Sequence, residues 1–445
     1  MMKESRRFIE ILEKRGMAVS ERREAIRRIE ASDIKAHGQD IPFSYIPLFI
    51  NDEDLAYLQK NIDVLNRILY KMTRMYVENE EYRKVFAFDK VLERLICLDC
   101  NYDEMIPIGR DDFFFDTESG DFAFCEFNTD GSGGMSRDAE ITKAILDTFP
   151  DRDFLERNGM HAFDVIGSIA ENLIRTYRSS SIAVENPLFA ITDWREEGVM
   201  SDFDRFLAAF RQRGIEARFT DIRDLVFDGK NLVDRTDGRV VNGIYRRAVT
   251  SVILEHLEDC RGLIEAVEHN AVVLMGHFRT SLVHSKTSSV ALHDRRTWAF
   301  LDREEIAFIE KHIPQTYRLK KDTISPELLA EILDNKDAWI IKPEDDFGSH
   351  GVYSGMDTPE KEWKKLILSQ MDKGDIVQRF CPRFDFELLG PEDERPAKYP
   401  LMIGAYVSCG KIVGFYSRAG RAGVIDFGHG GICVTTVKVD GSRSS

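Results

Sequence analysis

The chain has 445 residues, enough at about 150 per domain for two or three domains, and its 43% apolar content can fill their cores. Its 61 Lys and Arg against 77 Asp and Glu give a net charge of −16, which repels phosphate backbones and anionic bilayers over most of the surface, so neither nucleic acid nor a membrane surface is expected as a partner. Seven scattered cysteines are an odd number in a long chain, which argues against a secreted disulfide framework and for a reducing, cytoplasmic setting.

Charges interrupt the apolar residues of the N-terminal segment MMKESRRFIEILEKRG, and no run reaches the roughly 18 apolar residues of a span, so no signal peptide or membrane helix is expected. Residues 1–105 read as a helical region, with apolar positions three and four apart at Phe8, Ile9, Ile11 and Leu12 and again from Ile62 to Leu69. Near residue 107 the period changes. Ile108 to Phe115 and Phe122 to Asn128 are β-rich, and Thr117 to Asp121 supplies the turn of a hairpin with many carboxylates. From 185 to 280 a strand at Leu188–Thr192, an amphipathic helix from Met200 to Gly214 and a strand at Ile215–Phe219 set a β-α-β rhythm. No G-x-G-x-x-G follows the first strand, so a nicotinamide enzyme is disfavoured. One helix is expected over 251–268, another near 303–312, then a buried strand Ala338–Pro343 and short strands at 375–378, 401–408 and 411–417.

Two constellations carry chemistry. Lys342 ends a strand and is followed by a polar loop holding Gly348 and Gly351, where backbone N–H groups can approach an anion and the ammonium can neutralise phosphate oxygens. A hairpin with an exposed lysine is the plain alternative. Further on, Gln378 lies in a strand whose polar end can meet an adenine edge. Upstream, Glu126 and Asn128 are two apart on one strand and so share a face, onto which Asp112 can converge; three hard oxygen ligands suit Mg²⁺, which takes its remaining positions from waters and phosphates. Here the plain alternative is a solvated acidic hairpin. Cys97-x-x-Cys100 lacks a second metal-spaced pair, His429 between glycines is ambiguous, and Arg246-Arg247 after a strand could grip a carboxylate or be solvated.

Together, Arg110-x-Asp112, Glu126-x-Asn128 with Thr129 to Gly134, Tyr245-Arg246-Arg247, His284-Ser285-Lys286, Ile313-Pro314-Gln315-Thr316, Lys342-Pro343, Gln378, Tyr416-Ser417-Arg418 and Gly428-His429-Gly430-Gly431 resemble the glutathionylspermidine synthase-like, circularly permuted ATP-grasp family. The metal half precedes the lysine half, which is the permuted order. The resemblance implies an α/β (α+β) fold: a helical region at 1–105, the metal-ligand half at 106–180, a small inserted preATP-grasp-like domain at 185–280 and the lysine/nucleotide half at 285–445. It implies ATP and Mg²⁺ as cofactors, with Asp112, Glu126 and Asn128 on magnesium. Lys342, Gly348, Gly351, Gln378 and Lys286 would hold the nucleotide, and Arg110 and Arg418 the transferring phosphoryl group. The implied activity is a C–N ligase joining a small-molecule or peptide carboxylate to an amine through an acylphosphate. An ATP-dependent phosphotransferase and a non-enzymatic nucleotide-binding protein are the rivals, and a homodimer is left open. Two departures from the family stand out: no amidase-like cysteine domain is expected before this chain, and Asp345-Asp346-Phe347 makes the loop unusually acidic.

Overall fold

The computed structural model describes residues 2–36, 38–345 and 350–440. The helices Met2–Lys14, Val19–Glu30 and the 27-residue Asp52–Glu78, with the shorter Glu80–Arg83 and Lys90–Ile96, make up most of the N-terminal region, as the apolar spacing predicts. Asn51 starts the longest of them by accepting from the Asp54 backbone while the Asp54 side chain accepts from Asn51, a reciprocal cap on two otherwise orphaned donors. These helices do not stand apart. The strand Leu48–Asn51 pairs in parallel with Thr436–Val439 near the C-terminus, and buried Arg22 donates to the carbonyls of Gly390 and Asp393. One continuous core runs from Phe8 through the stacked Phe149 ring to Val439.

Three sheets position the site. The central one orders Ile432–Val434, Ser417–Ala419, Ala397–Ser408, Ile108–Phe115 and Phe122–Asn128, antiparallel throughout, with Asp385–Leu388 and Lys411–Phe415 also paired to Ala397–Ser408. The second is parallel, in the order Val273–Met275, Gly243–Arg246, Leu188–Asp193, Glu216–Asp221, and bears the expected β-α-β rhythm with the helix Met200–Gln212 as first crossover. The third orders Thr316–Arg318, Asp375–Arg379, Trp339–Pro343 and Tyr353–Ser354 over a core of Trp339, Ile341, Trp363, Ile367 and Val377.

Two local expectations need correction. The helix expected over 251–268 is two, Thr250–Glu255 and Arg261–Glu268, because the chain leaves helical geometry at His256. The second piece then lies so close to Leu225 that a Cβ on Gly262 would stand 2.1 Å from its carbonyl oxygen. Cys97 and Cys100 lie beyond the end of the helix Lys90–Ile96 rather than on it, and all seven cysteines are free. Among the described residues no helix is long and apolar enough to cross a membrane.

Candidate functional site

The hairpin Ile108–Phe115/Phe122–Asn128 must satisfy two faces at once. Arg110 opposes Asn128 and Asp112 opposes Glu126, yet Phe113 opposes Phe124, so Cys125 is an extra residue bulged out of the ladder. The bulge reconciles two demands. Strict alternation would put Phe124 on the face of Glu126, whereas the inserted residue returns Phe122 and Phe124 to the core beside Phe113 and Phe127 and leaves Arg110, Asp112, Glu126 and Asn128 on the opposite face. It also turns the Cys125 carbonyl outward, where it accepts from Lys342 Nζ at 2.9 Å.

Asp112 is fully buried and both its oxygens are taken. Arg110 grips it with two donors, Nε to Oδ1 at 2.7 Å and Nη2 to Oδ2 at 2.9 Å; Arg418 Nη2 reaches Oδ2 at 2.9 Å and Asn128 Nδ2 reaches it at 3.2 Å. A forked guanidinium–carboxylate contact is among the strongest a protein makes. Gly404 makes room for it: across the ladder from Asp112, a Cβ there would stand 2.7 Å from Asp112 Oδ1 and 2.9 Å from Arg110 Cδ. Arg418 enters the same face because it pairs with Met402, which pairs with Phe114. The Tyr416 ring lies under the cluster, 5.7 Å from the Arg110 guanidinium carbon and 6.0 Å from that of Arg418.

Lys342 approaches from the third sheet, and Lys286 from the junction of the short helices Ser281–His284 and Thr287–Leu292. Lys342 is 7% exposed; besides the Cys125 carbonyl it donates to Gln378 Oε1 at 2.9 Å, and Gln378 in turn donates to Thr316 Oγ1, itself bonded to the Pro314 carbonyl. Lys286, equally buried, is tied to the sheet through its backbone N–H to the Glu344 carbonyl, and its Nζ stands 3.4 Å from Glu126 Oε1. Burial alone would raise the Glu126 carboxyl, but Lys286, Lys342, Arg110 and Arg418 outweigh it and hold it down to about 2. Gly351 sits in the exposed turn between Lys342 and Tyr353; Gly348, with Asp346, Phe347 and Ser349, lies outside the described residues.

Thus Arg110, Asp112, Glu126, Asn128, Lys286, Lys342, Gln378 and Arg418, separated by hundreds of residues in sequence, meet at one place. Among the described residues no group of three or more His, Cys, Asp and Glu is arranged to hold a metal. The donors open to one are the Glu126 carboxylate and the Asn128 amide oxygen, hard oxygens on one strand face that fit Mg²⁺ completed by phosphates and water; Asp112 is committed to the arginines.

Other residues singled out by sequence have partners of their own in the structure. Arg246 forms a buried ion pair with Asp130 at 2.6 Å and donates to the carbonyls of Gly276 and Ala248, and Asp130 also accepts from the Thr250 backbone. Arg247 is packed over Phe203 and Tyr245. His429 bonds Asp426 of its own turn. One feature was missed, the Cys125 carbonyl. The Phe-x-Phe-x-x-Phe spacing of Phe122, Phe124 and Phe127, two and then three, is the signal that could have disclosed the bulge.

No family model matches the sequence, and no curated protein matches it. Solved structures do. A glutathione synthetase-like effector from Globodera pallida in its apo form superposes with a TM-score of 0.62 at 14% identity, covering 94% of this chain and 96% of that one. A putative gamma-glutamylcysteine synthetase from Methylobacillus flagellatus gives 0.42 at 13% identity over 82% and 86%, and the ATP-grasp ligase PsnB, complexed with minimal precursor, Mg and ADP, gives 0.30 at 13% over 57% and 89%. The chain has an α/β ATP-grasp-like fold.

Proposed function

We propose that the protein is an ATP- and Mg²⁺-dependent ligase that joins a carboxylate to an amine through an acylphosphate, of the permuted, glutathionylspermidine synthase-like type. The observation that carries the reading is the convergence of Arg110, Asp112 and Arg418 from the central sheet with Lys342 from the third sheet and Lys286 from the junction of two short helices around Glu126. A site with this cation excess, on a chain of net charge −16, matches a polyanionic ligand and little else. The ATP-grasp-like fold agrees with a nucleotide as that ligand.

Phosphoryl transfer needs in-line placement and neutralised oxygens more than a covalent nucleophile. Lys342 and Lys286 hold the phosphate chain, and Gln378 and Thr316 keep Lys342 pointed at it. Arg110 and Arg418, locked by Asp112, hold the transferring phosphoryl group while a substrate carboxylate oxygen bonds to the γ-phosphorus and the bond to the ADP oxygen breaks. An amine then bonds to the acyl carbon, phosphate leaves and the amine proton passes to solvent. Glu126 and Asn128 would hold magnesium, which when bound supplies further neutralisation of phosphate oxygens. The arginines need no reorganisation during transfer because Asp112 has already oriented them.

Phosphate release measured against a panel of carboxylates and amines, with mass spectrometry of the products, tests the reading. An amide with loss of water, formed only with MgATP, is expected. A phosphorylated product without amide would instead favour a phosphotransferase, and MgATP binding without turnover across the panel would favour a nucleotide-binding protein.

A further inference from the structure

Arg110 and Arg418 share Asp112, Lys286 faces Glu126, and Lys342 bonds a carbonyl and an amide. Arg137, like Lys342, meets only neutral oxygens, but it comes from a helix rather than from a sheet. It stands in the first turn of the helix Met135–Thr148, directly after the loop Gly131 to Gly134, and is mostly buried. Its Nε donates to the Lys35 carbonyl at 3.2 Å and its Nη1 to the Tyr416 hydroxyl at 3.3 Å, while Nη2 makes no hydrogen bond among the described residues. No described carboxylate forms an ion pair with it. The acidic group whose charge it feels, Asp202, has its oxygens taken by the backbone of Gly134, Met135 and Ser136 and by the Ser136 hydroxyl.

A mostly buried guanidinium whose bonded donors meet only neutral oxygens keeps charge and donors available for an anion. Arg137 is also placed where one would bind. Its guanidinium carbon lies 5.9 Å from the Tyr416 ring centroid, the ring that Arg110 and Arg418 share at 5.7 and 6.0 Å, but it comes from the helix side while they come from the sheet. The loop that leads into it is anchored, because Tyr406 donates to the Gly133 carbonyl at 2.7 Å, and a Cβ on Gly134 would press to 3.1 Å from Arg137 Nη1.

Resting on the ligase reading, we propose that Arg137 binds the carboxylate that is activated, holding it against the phosphoryl group gripped by Arg110 and Arg418. The fork matches a carboxylate or the acyl end of an acylphosphate in two-point contact. Tyr416, by holding Nη1, leaves the Nη2 edge for the ligand. The carboxylate substrate therefore enters from the side of the Gly131–Gly134 loop, opposite the lysines.

Acetyl phosphate, an acylphosphate, is the probe. Calorimetric titration into the protein with MgADP, with MgATP titrated separately, is compared for wild type, Arg137→Gln, Arg137→Lys and, as a control on an exposed position of the same helix, Lys143→Gln. We expect Arg137→Gln to weaken acetyl phosphate at least about tenfold, Arg137→Lys to fall between, Lys143→Gln to match wild type, and MgATP affinity to stay within about twofold throughout. Acetyl phosphate bound equally by Arg137→Gln and wild type overturns the proposal, as does an equal loss of MgATP, or a lower melting temperature with unchanged affinity per folded molecule. Wild type that binds MgATP but not acetyl phosphate overturns it too and leaves the nucleotide site standing. Wild type that binds no MgATP overturns the ligase reading itself.

Discussion

The arginine side and the lysine side of the site neutralise charge in opposite ways. On the central sheet, two guanidiniums surround one fully buried carboxylate, Asp112, so the cluster is complete before any ligand arrives. On the third sheet, Lys342 is almost as deeply buried but its hydrogen bonds go to neutral oxygens, the Cys125 carbonyl and the Gln378 amide. A charge pair taken from water is stable only while both members remain, whereas a cation among neutral acceptors is strained until an anion joins it. The first side should therefore be important for folding and transition-state geometry, the second for ligand affinity.

Substitutions that keep charge but change shape strike the first side hardest. Arg110→Lys loses the fork on Asp112 and Arg418→Lys its single Nη2 contact there, and in both kcat should fall on the order of 10²–10³-fold with only a modest change in ATP Kd. Steady-state kinetics beside calorimetry checks this, and variants that turn over like wild type would dissolve the contrast. Asp112→Asn leaves two buried guanidiniums facing a neutral amide, so denaturant unfolding should show a loss of about 3–5 kcal/mol. Lys342→Met should do the reverse on the other side: ATP Kd rises at least about tenfold while stability holds or improves, because a buried ammonium is exchanged for an apolar chain of similar length. A fall in stability as large as that of Asp112→Asn would make the two sides alike.

The smallest effect lies away from both, at the end of the parallel sheet. Burial raises the Asp193 carboxyl to about 6, against the pull of Arg247. Its folded value is thus above the unfolded one of about 3.9, so the stabilising contribution is full below about pH 4 and is lost as pH rises through 6. Asp193→Asn should lose less stability than wild type between pH 4 and 7, by about 1–3 kcal/mol. Parallel stability–pH curves for the two proteins would show that Asp193 titrates normally.

Much of this was legible along the chain. Apolar spacing disclosed the helices, the Thr117–Asp121 turn disclosed the hairpin, and the β-α-β rhythm disclosed the parallel sheet, since each follows from periods of two or 3.6 and from turn chemistry. The split at His256 escaped because helical periodicity continues across it, and the close packing of Gly262 on Leu225 is a contact between distant segments. For Arg246 the sequence leaves a carboxylate grip and a solvated side chain both open, because nothing in Tyr245-Arg246-Arg247 announces that Asp130, far upstream, will neutralise it.

The same division holds at the site. Sequence by itself determined which residue types were present, that Glu126 and Asn128 share a strand face, and that Lys342 ends a strand, all consequences of local backbone geometry. Only the tertiary structure decided which charges are partnered. Asp112 was read as a metal ligand equal to Glu126, but strand pairing brings Arg418 across from the C-terminal part of the chain onto it, and the Cys125 bulge presents a carbonyl to Lys342. Partner choice depends on which distant strands become neighbours and on a one-residue change of register, and neither distance nor register is encoded in the spacing of a single segment.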